Sequence, residues 1–581
     1  MATFKRFQQI GGYLRPYWRP VAGGIIALFL SNALGVYLPR LIGESIDNLR
    51  SDYTYQTLWT TVLIISVLAS GVWAVRMFSR LAIFGVGRSI EFDLKQQLFQ
   101  HLLRLEPSYF ASQSSGDLIS RSTNDIDNVR RLVGFALLSL VNTIFAYGLS
   151  LPIMIGIDGP LTIFAVAVYP FMLGMVQLFS GRLQEQQLQV QERLSDLSQL
   201  VQEDVSGMSL IKIYAQENNE QAAFEHSNRR LLFANLKLAR TRNFLFPLIE
   251  GLSYVSLLVL LWQGSDAIAG SRITVGDFVT LLLLVERLVF PTALLGFTIT
   301  AYQRGEVSLD RVESILRVEP KIKDPSDPKS LTNRCGTLTV KDLSYTYADT
   351  KKPALDQVNF EIPSGATVAI VGPMGCGKST LANALTRLLD VESEHIFLDD
   401  QDITQLTLQD LRRAIAYVPQ ESFLFSDTIE DNIRFGEPRA EHDLTVGAAK
   451  DAQIHPEILN FPKQYQTLVG ERGITLSGGQ RQRSALARAL LIESPTLILD
   501  DALSSVDNQT ATEILESLSQ GRQQRTTLFI THQLSAAALA DRILVMDKGR
   551  VVQQGTHEEL IARPGCYQDL WQQHQLEEIL Q

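Results

Sequence analysis

The sequence predicts a chain of two unlike halves: an α-helical domain of six membrane spans, then an α/β domain built around a phosphate-binding loop. Three observations lead there. Uncharged apolar runs of about twenty residues crowd the first half. The Pro- and charge-rich stretch VEPKIKDPSDPKS, Val318 to Ser330, then ends that texture. Beyond it, short apolar strands alternate with glycine turns and amphipathic helices, and one strand opens onto GPMGCGKST. The divisions that follow are residues 1–317 for the membrane domain with two cytoplasmic hairpins, 318–335 for a linker, and 336–581 for the α/β domain.

A chain of 581 residues exceeds what one core supports. The net charge of -10 argues against nucleic acid as a partner. Cys335, Cys376 and Cys566 are widely spaced and form no CxxC, which excludes a disulfide framework or zinc site and fits a reducing interior. Lys5 and Arg6 precede the first apolar run without an A-x-A-like cleavage site, so the first span is expected to stay in the membrane as a signal anchor.

Val21 to Pro39, Tyr53 to Val75, Leu132 to Ile157 and Gly159 to Gly181 carry no charge. Each is long enough to cross ~30 Å of hydrocarbon as a helix. Leu245 to Ser265 and Phe278 to Tyr302 complete the six, the former with Glu250 and the latter with Glu286 and Arg287. The short connections hold only Arg50 and Arg272 as cations, whereas the long ones carry many, Arg88, Lys95, Arg130, Arg131, Arg229 and Arg230 among them. The long connections and both termini therefore face the cytoplasm, across the plasma (cell inner) membrane. The apolar period of Ser89 to Leu105 predicts helices that continue out of the bilayer. Each long connection breaks once, at Tyr109–Asp127 and at Gly207–Glu220, where small and polar residues cluster.

The apolar strand of ATVAIVGPMGCGKST feeds GxxxxGKS and then a helix expected over Thr380 to Leu388. Gly372, Gly375 and Gly377 let backbone N–H groups wrap phosphates without Cβ interference. The helix start favours anions. Lys378 is placed to reach the β and γ phosphates and Ser379 to bind Mg²⁺. Asp500, at the end of the strand in LILDD, is placed to hold the same Mg²⁺. LSGGQRQR opens a second helix, and Ser477 with the N–H groups of Gly478 and Gly479 forms another anion-facing start. One nucleotide does not need two such sites in one chain, which points to a dimer whose helix starts cap each other's nucleotide.

The order of GPMGCGKST, YVPQ, LSGGQ, LILDD, SSVD and ITH resembles the ATP-binding cassette (ABC) ATPases, and the whole chain resembles an ABC exporter half-transporter of the multidrug-resistance type. The resemblance implies ATP-driven export of small amphipathic, drug- or lipid-like molecules, with ATP and Mg²⁺ as ligands and a second half-transporter as partner. It assigns the phosphates to Gly372, Pro373, Met374, Gly375, Cys376, Gly377, Lys378, Ser379 and Thr380, the adenine to Tyr347, and the partner's nucleotide to Ser477, Gly478, Gly479 and Gln480. It also implies that Gln420 touches Mg²⁺, that His532 contacts the γ-phosphate, and that Asp507 is the D-loop acid. Thr467 to Gly473 matches the exporter X-loop, with Leu468 where glutamate is common, and Tyr109–Gly116 and Gly207–Glu220 match the coupling segments.

Family members usually carry glutamate as general base after the magnesium aspartate; here it is Asp501. Its side chain is shorter by ~1.5 Å, and a displacement of about 1 Å lowers a rate roughly 100-fold. A slow ATP site in a heterodimer is expected, with a homodimeric lipid or peptide exporter, or an ATP-gated channel or regulator, as alternatives. For the cargo, Glu250, Glu286 and Arg287 are candidates because ionisable groups in spans line cavities, or pair with one another. Phe244, Phe246, Tyr254, Trp262 and Phe290 are candidate walls or packing residues, and Arg76 and Arg80 are expected to snorkel. Cys376 is expected to react with alkylating reagents unless ATP protects it.

Overall fold

The computed structural model describes residues 10–49, 54–331, 334–348, 350–470, 473–506, 508–520 and 525–580. Lys5, Arg6, Arg50, Tyr53 and Asp507 lie outside the described residues. The chain divides into two units, one of Met1–Leu103 with Ser114–Val318 and the other of Arg104–Gln113 with Glu319–Gln581.

The first unit holds six helices long and apolar enough to cross a membrane: α1 (Ile10–Asn48), α2 (Tyr55–Leu102), α3 (Ser115–Ile157), α4 (Gly159–Ser206), α5 (Glu217–Ala269) and α6 (Val275–Leu316). The 53 residues of α5 span about 80 Å at 1.5 Å each. That is more than twice the hydrocarbon thickness, so the long cytoplasmic connections are the spans themselves prolonged. The two breaks are six-residue helices, Pro107–Ser112 and Met208–Ile213. Each begins where the chain gives a helix start, at Pro107 in the first turn and at Gly207 as the N-cap.

The α6 helix is the most enclosed element of this unit. Leu281, Leu284, Val285 and Leu288 recur at helical spacing and are fully buried. Further along, Leu309, Val312 and Ile315 repeat the pattern, meeting Val86, Ile90, Leu94 and Leu98 of α2 and Ile126, Val129 and Val133 of α3. Polar contacts surround this lower core: Arg311 pairs with Asp117 at 2.6 Å and Asp125 at 3.2 Å, and Ser308 donates to Asp125 at 2.7 Å. At the other end α1 and α6 touch backbone to backbone. A Cβ on Gly276 would stand 2.1 Å from the Gly43 carbonyl oxygen. The Gly276 N–H donates to Asp47 Oδ1 at 2.8 Å, which fixes the crossing.

The second unit is α/β. Its strands are β1 (Leu338–Tyr345), β2 (Leu355–Ile362), β3 (Thr367–Val371), β4 (Ile396–Leu398), β5 (Gln401–Asp402), β6 (Ile415–Val418), β7 (Thr496–Asp500), β8 (Thr526–Ile530), β9 (Arg542–Asp547) and β10 (Arg550–Gly555). One sheet runs β10-β9-β3-β8-β7-β6 and a smaller one β2-β1-β4-β5. From β9 to β6 the pairing is parallel, and β3, β7 and β8 are nearly continuous runs of buried residues, as a sheet covered on both faces requires. The Pro-rich segment beyond Val318 is pinned to this unit: Asp324 accepts from Leu408 N at 2.7 Å, and Lys329 N donates to Gln405 O at 2.9 Å.

Gly276→Val would drive a side chain into the Gly43 carbonyl. Overpacking of this kind costs about 1–3 kcal/mol, and a lowered thermal unfolding midpoint of the purified protein in detergent is the expected reading.

Candidate nucleotide-binding site

The parallel strands end together, and their register decides what gathers there. Ile370 of β3 is level with Ile530 of β8, Ile530 with Asp500 of β7, and Leu499 of β7 with Val418 of β6. The residues just past these tips are the phosphate loop after β3, His532 after β8, Asp501 after β7 and Gln420 after β6. One edge of one sheet thus collects Lys378, Ser379, Asp500, Asp501, Gln420 and His532, at the carboxyl ends where open α/β sheets place ligands.

The loop after β3 depends on its glycines. Gly377 sits at φ 105°, where a Cβ would meet the Ala354 carbonyl at 2.5 Å, and Gly375 at φ 75°. The helix α7 (Lys378–Leu385) follows at once. It starts two residues earlier and ends three earlier than the expected Thr380–Leu388, because the lysine and serine of the motif are its first turn. Lys378 is buried and donates to the carbonyls of Gly372 at 2.7 Å and Pro373 at 3.0 Å. Met374 stands exposed at the tip. Tyr347 is partly exposed; its hydroxyl lies 3.2 Å from Thr380 Oγ1, and its ring meets Tyr345 edge-on at 5.1 Å.

Asp500 is only 2 % exposed. Ser379 Oγ donates to its Oδ1 at 3.1 Å and Tyr417 OH to its Oδ2 at 3.4 Å. Burial, with the neighbouring Asp501, holds this carboxyl above the ordinary range even against those two donors. A buried carboxylate with little positive charge around it has the chemistry of a cation ligand. Among the described residues no group of three or more His, Cys, Asp or Glu is placed to hold a metal. The donors here are oxygens, which suits a hard cation sharing its sphere with phosphates. Tyr417 is the residue that sequence reasoning passed over; it stands in the quoted YVPQ, and its hydroxyl ties Asp500 to Asn383.

Asp501 has φ 50°, and its N–H donates to the Ile530 carbonyl at 3.0 Å. Gln420 and His532 are exposed on bends. The second anion-facing start is α8 (Gly478–Leu490), whose N-cap Ser477 makes a complete capping box with Gln480. Its Gln482 exchanges bonds with Ser504 at 2.9 Å and Ser505 N at 2.8 Å. Among the described residues no hydrogen bond joins Ser477–Gln480 to the phosphate loop.

In the membrane unit the cargo candidates separate. Glu250 accepts from Tyr254 OH at 2.9 Å, and Glu286 is exposed. The Glu–Arg pair weighed from sequence does not form among the described residues, because Arg287 donates instead to Asn32. Arg76, read as a snorkelling residue, lines a crevice with Arg287. Phe244, Tyr254, Trp262 and Phe290 are exposed on the chain; the side chain of Phe246 lies outside the described residues.

A bundle of six membrane-crossing helices joined to a P-loop ATPase with a second anion-facing helix defines a multi-pass membrane protein powered by ATP. The comparisons agree. The pattern of the ABC transporter transmembrane region matches residues 21–292, and that of the ABC transporter matches residues 355–504. A probable multidrug resistance ABC transporter ATP-binding/permease protein, YheI of Bacillus subtilis, is 32% identical over 99% of this chain and 98% of its own. An ATP-dependent lipid A-core flippase of Syntrophus aciditrophicus is 32% identical over 99% and 95%. The solved structure of a bacterial Atm1-family ABC exporter with ATP bound superposes with a TM-score of 0.76 at 27% identity, covering 96% of this chain and 99% of that one. The chain belongs to the ABC transporter family, with the exporter fold and a cytoplasmic ATPase domain that binds ATP.

Two outcomes follow from the site. A carboxyl raised by burial binds more protons in the native state than in the unfolded chain, so the nucleotide-free protein loses stability as pH rises through that window. Asp500→Asn removes this penalty: at pH 7.5 without Mg²⁺ the thermal midpoint rises above wild type, whereas the further rise given by Mg·ATP is lost. Burial pushes the Cys376 thiol up despite Lys378 nearby, which slows the expected alkylation. At pH 7, N-ethylmaleimide modifies exposed Cys335 first and Cys376 slowly, as peptide mapping by mass spectrometry over time would show.

Proposed function

We propose that this chain is one half of a dimeric exporter that uses Mg·ATP to move small amphipathic, drug- or lipid-like molecules outward by alternating access. The observation that carries the reading is the divided site. The phosphate loop and α8 are each well formed, and among the described residues no hydrogen bond joins Ser477–Gln480 to the loop, so a nucleotide gripped by both needs two chains. The exposed apolar faces support the same view. Leu232 and Phe233 are 53% and 68% exposed, roughly 50 Å along α5 from Ala269 and so well beyond the hydrocarbon. Side chains of that kind outside a bilayer fit a protein partner.

Each chain's residues have distinct work. The loop from Gly372 to Thr380 binds the phosphates through its N–H groups, Lys378 contacts the β and γ phosphates, and Tyr347 stacks on adenine. Ser379, Asp500 and Gln420 would hold Mg²⁺, which when bound offsets phosphate charge. Ser477, Gly478, Gly479 and Gln480 cap the nucleotide of the partner. Asp501 takes the proton of the attacking water, and His532 contacts the γ-phosphate. The segments Tyr109–Gly116 and Gly207–Glu220 pass closure of the ATPases to the spans. Exposed Met208, Leu210, Ile213 and Tyr214 suit the second of these to docking.

Asp501 makes this a slow site. Its backbone is held by the bond to Ile530, so the chain does not move forward to make up ~1.5 Å of missing side chain. A heterodimer with a glutamate-bearing partner uses such a chain best. A homodimer is supported equally by relatives that match end to end as single chains, and by the presence of His532.

The test is ATP turnover by the purified chain alone, wild type against Asp501→Glu. A gain of roughly 10–100-fold is expected, and equal rates would remove the slow site. Mass spectrometry of the complex isolated from its native membrane then tells one partner from two.

A further inference from the structure

Between α1, α2 and α6 lies a crevice of ≈ 270 Å³ whose polar groups are two arginines, Arg76 and Arg287. Arg287 stands twelve residues into α6, about 18 Å from its outer end and hence within the hydrocarbon. Its guanidinium is held from one side only. Nη2 donates to Asn32 Oδ1 at 3.1 Å and Asn32 O at 3.3 Å, while Nε is buried without a hydrogen-bond partner. Asn32 is itself oriented: its Nδ2 donates to Asn142 Oδ1 at 3.0 Å and Leu28 O at 2.9 Å, which turns Oδ1 toward the arginine. Gly35 gives the head group its place. A Cβ there would lie 2.1 Å from Nη1 of Arg287, so a larger residue would force the guanidinium to shift.

The charge of this crevice is not balanced. The charged group that Arg287 faces is another cation, Arg76. Neither arginine forms an ion pair with a carboxylate among the described residues. Glu286 is exposed elsewhere on α6 and Glu250 is engaged by Tyr254. Two unpaired guanidinium groups in a membrane are costly and mark a ligand path. Their planar forks match the oxygens of phosphate or sulfonate. The remaining walls, among them Leu38, Ile42, Val72 and Leu283, are apolar.

We propose that this crevice binds the anionic head group of an amphiphile, a phosphate monoester or its equivalent, with the tail along the apolar helix surfaces. The site deepens the export reading above, and rests on it for the statement that the ligand is cargo. The volume takes a head group and not a whole lipid.

The experiment uses the full chain in phosphatidylcholine nanodiscs without nucleotide, with octyl phosphate and octyltrimethylammonium as probes and intrinsic tryptophan fluorescence as readout. Octyl phosphate is expected to bind at least ~10-fold more tightly than the cation, the ratio of roughly one charge-assisted contact. Arg287→Gln should abolish that preference and Arg287→Lys restore part of it. If Arg287→Gln does not fold, Arg76→Gln carries the comparison. Equal binding of the two probes, or an unchanged preference in the glutamine variants, overturns the proposal. Displacement of octyl phosphate by phosphatidylglycerol added to the nanodisc identifies a bilayer lipid as the natural source, and failure to displace it a water-soluble amphiphile; both require the site. Because binding is read without ATP, a protein that prefers the anion yet does not couple it to turnover refutes export and leaves the site standing.

Discussion

A carboxylate kept out of water at the tip of a strand governs the chemistry of this protein. Asp500 is nearly inaccessible, has two hydroxyl donors, forms no ion pair among the described residues, and shares its neighbourhood with a second acid. Water cannot solvate it, and the protein compensates only in part. In the function proposed above, a divalent cation arriving with the phosphates would restore the balance, which ties nucleotide binding to the electrostatics of the sheet edge. The parallel register does the rest by delivering a lysine, a glutamine, a histidine and the second aspartate to the same line.

The membrane half follows a different logic, since burial of apolar side chains gains little when lipid is the alternative. Its order comes from close backbone approach and from polar contacts below the bilayer. Gly43 and Gly276 let α1 and α6 touch, and the Asp117–Asp125–Arg311–Ser308 cluster ties α3 to α6 in the cytoplasmic extension. The helices α4 and α5 pack largely on each other and leave apolar faces bare, which lipid covers within the bilayer and the proposed partner would cover beyond it.

Much of this was legible in the chain. Six apolar stretches, charge-biased connections and a phosphate loop after an apolar strand each carry a physical meaning on their own, and the structure has all of them. The coordination partners of Asp500 were readable only in part: Ser379 belongs to the loop motif, whereas Tyr417 needs the β6–β7 pairing to bring it near. The crevice was the least visible. Arg76 and Arg287 are 211 positions apart, and nothing in their local sequence says that they share a space, that Asn32 turns toward one of them, or that Gly35 borders the guanidinium. Contacts between distant helices leave no period to read. The boundaries of α7 shifted for a simpler reason, since a helix that begins on its own ligand residues has no separate start signal.

The capping box at Ser477 has a kinetic meaning. The serine oxygen accepts from the backbone of its own helix, and Gln480 reciprocates, so the end of α8 is already rigid before anything docks on it. The other N–H groups of the first helical turn have no acceptor within the helix. A surface set in advance loses little conformational entropy on contact. In the dimer proposed above, encounter of the two chains would then be limited by diffusion and mutual orientation and not by local refolding.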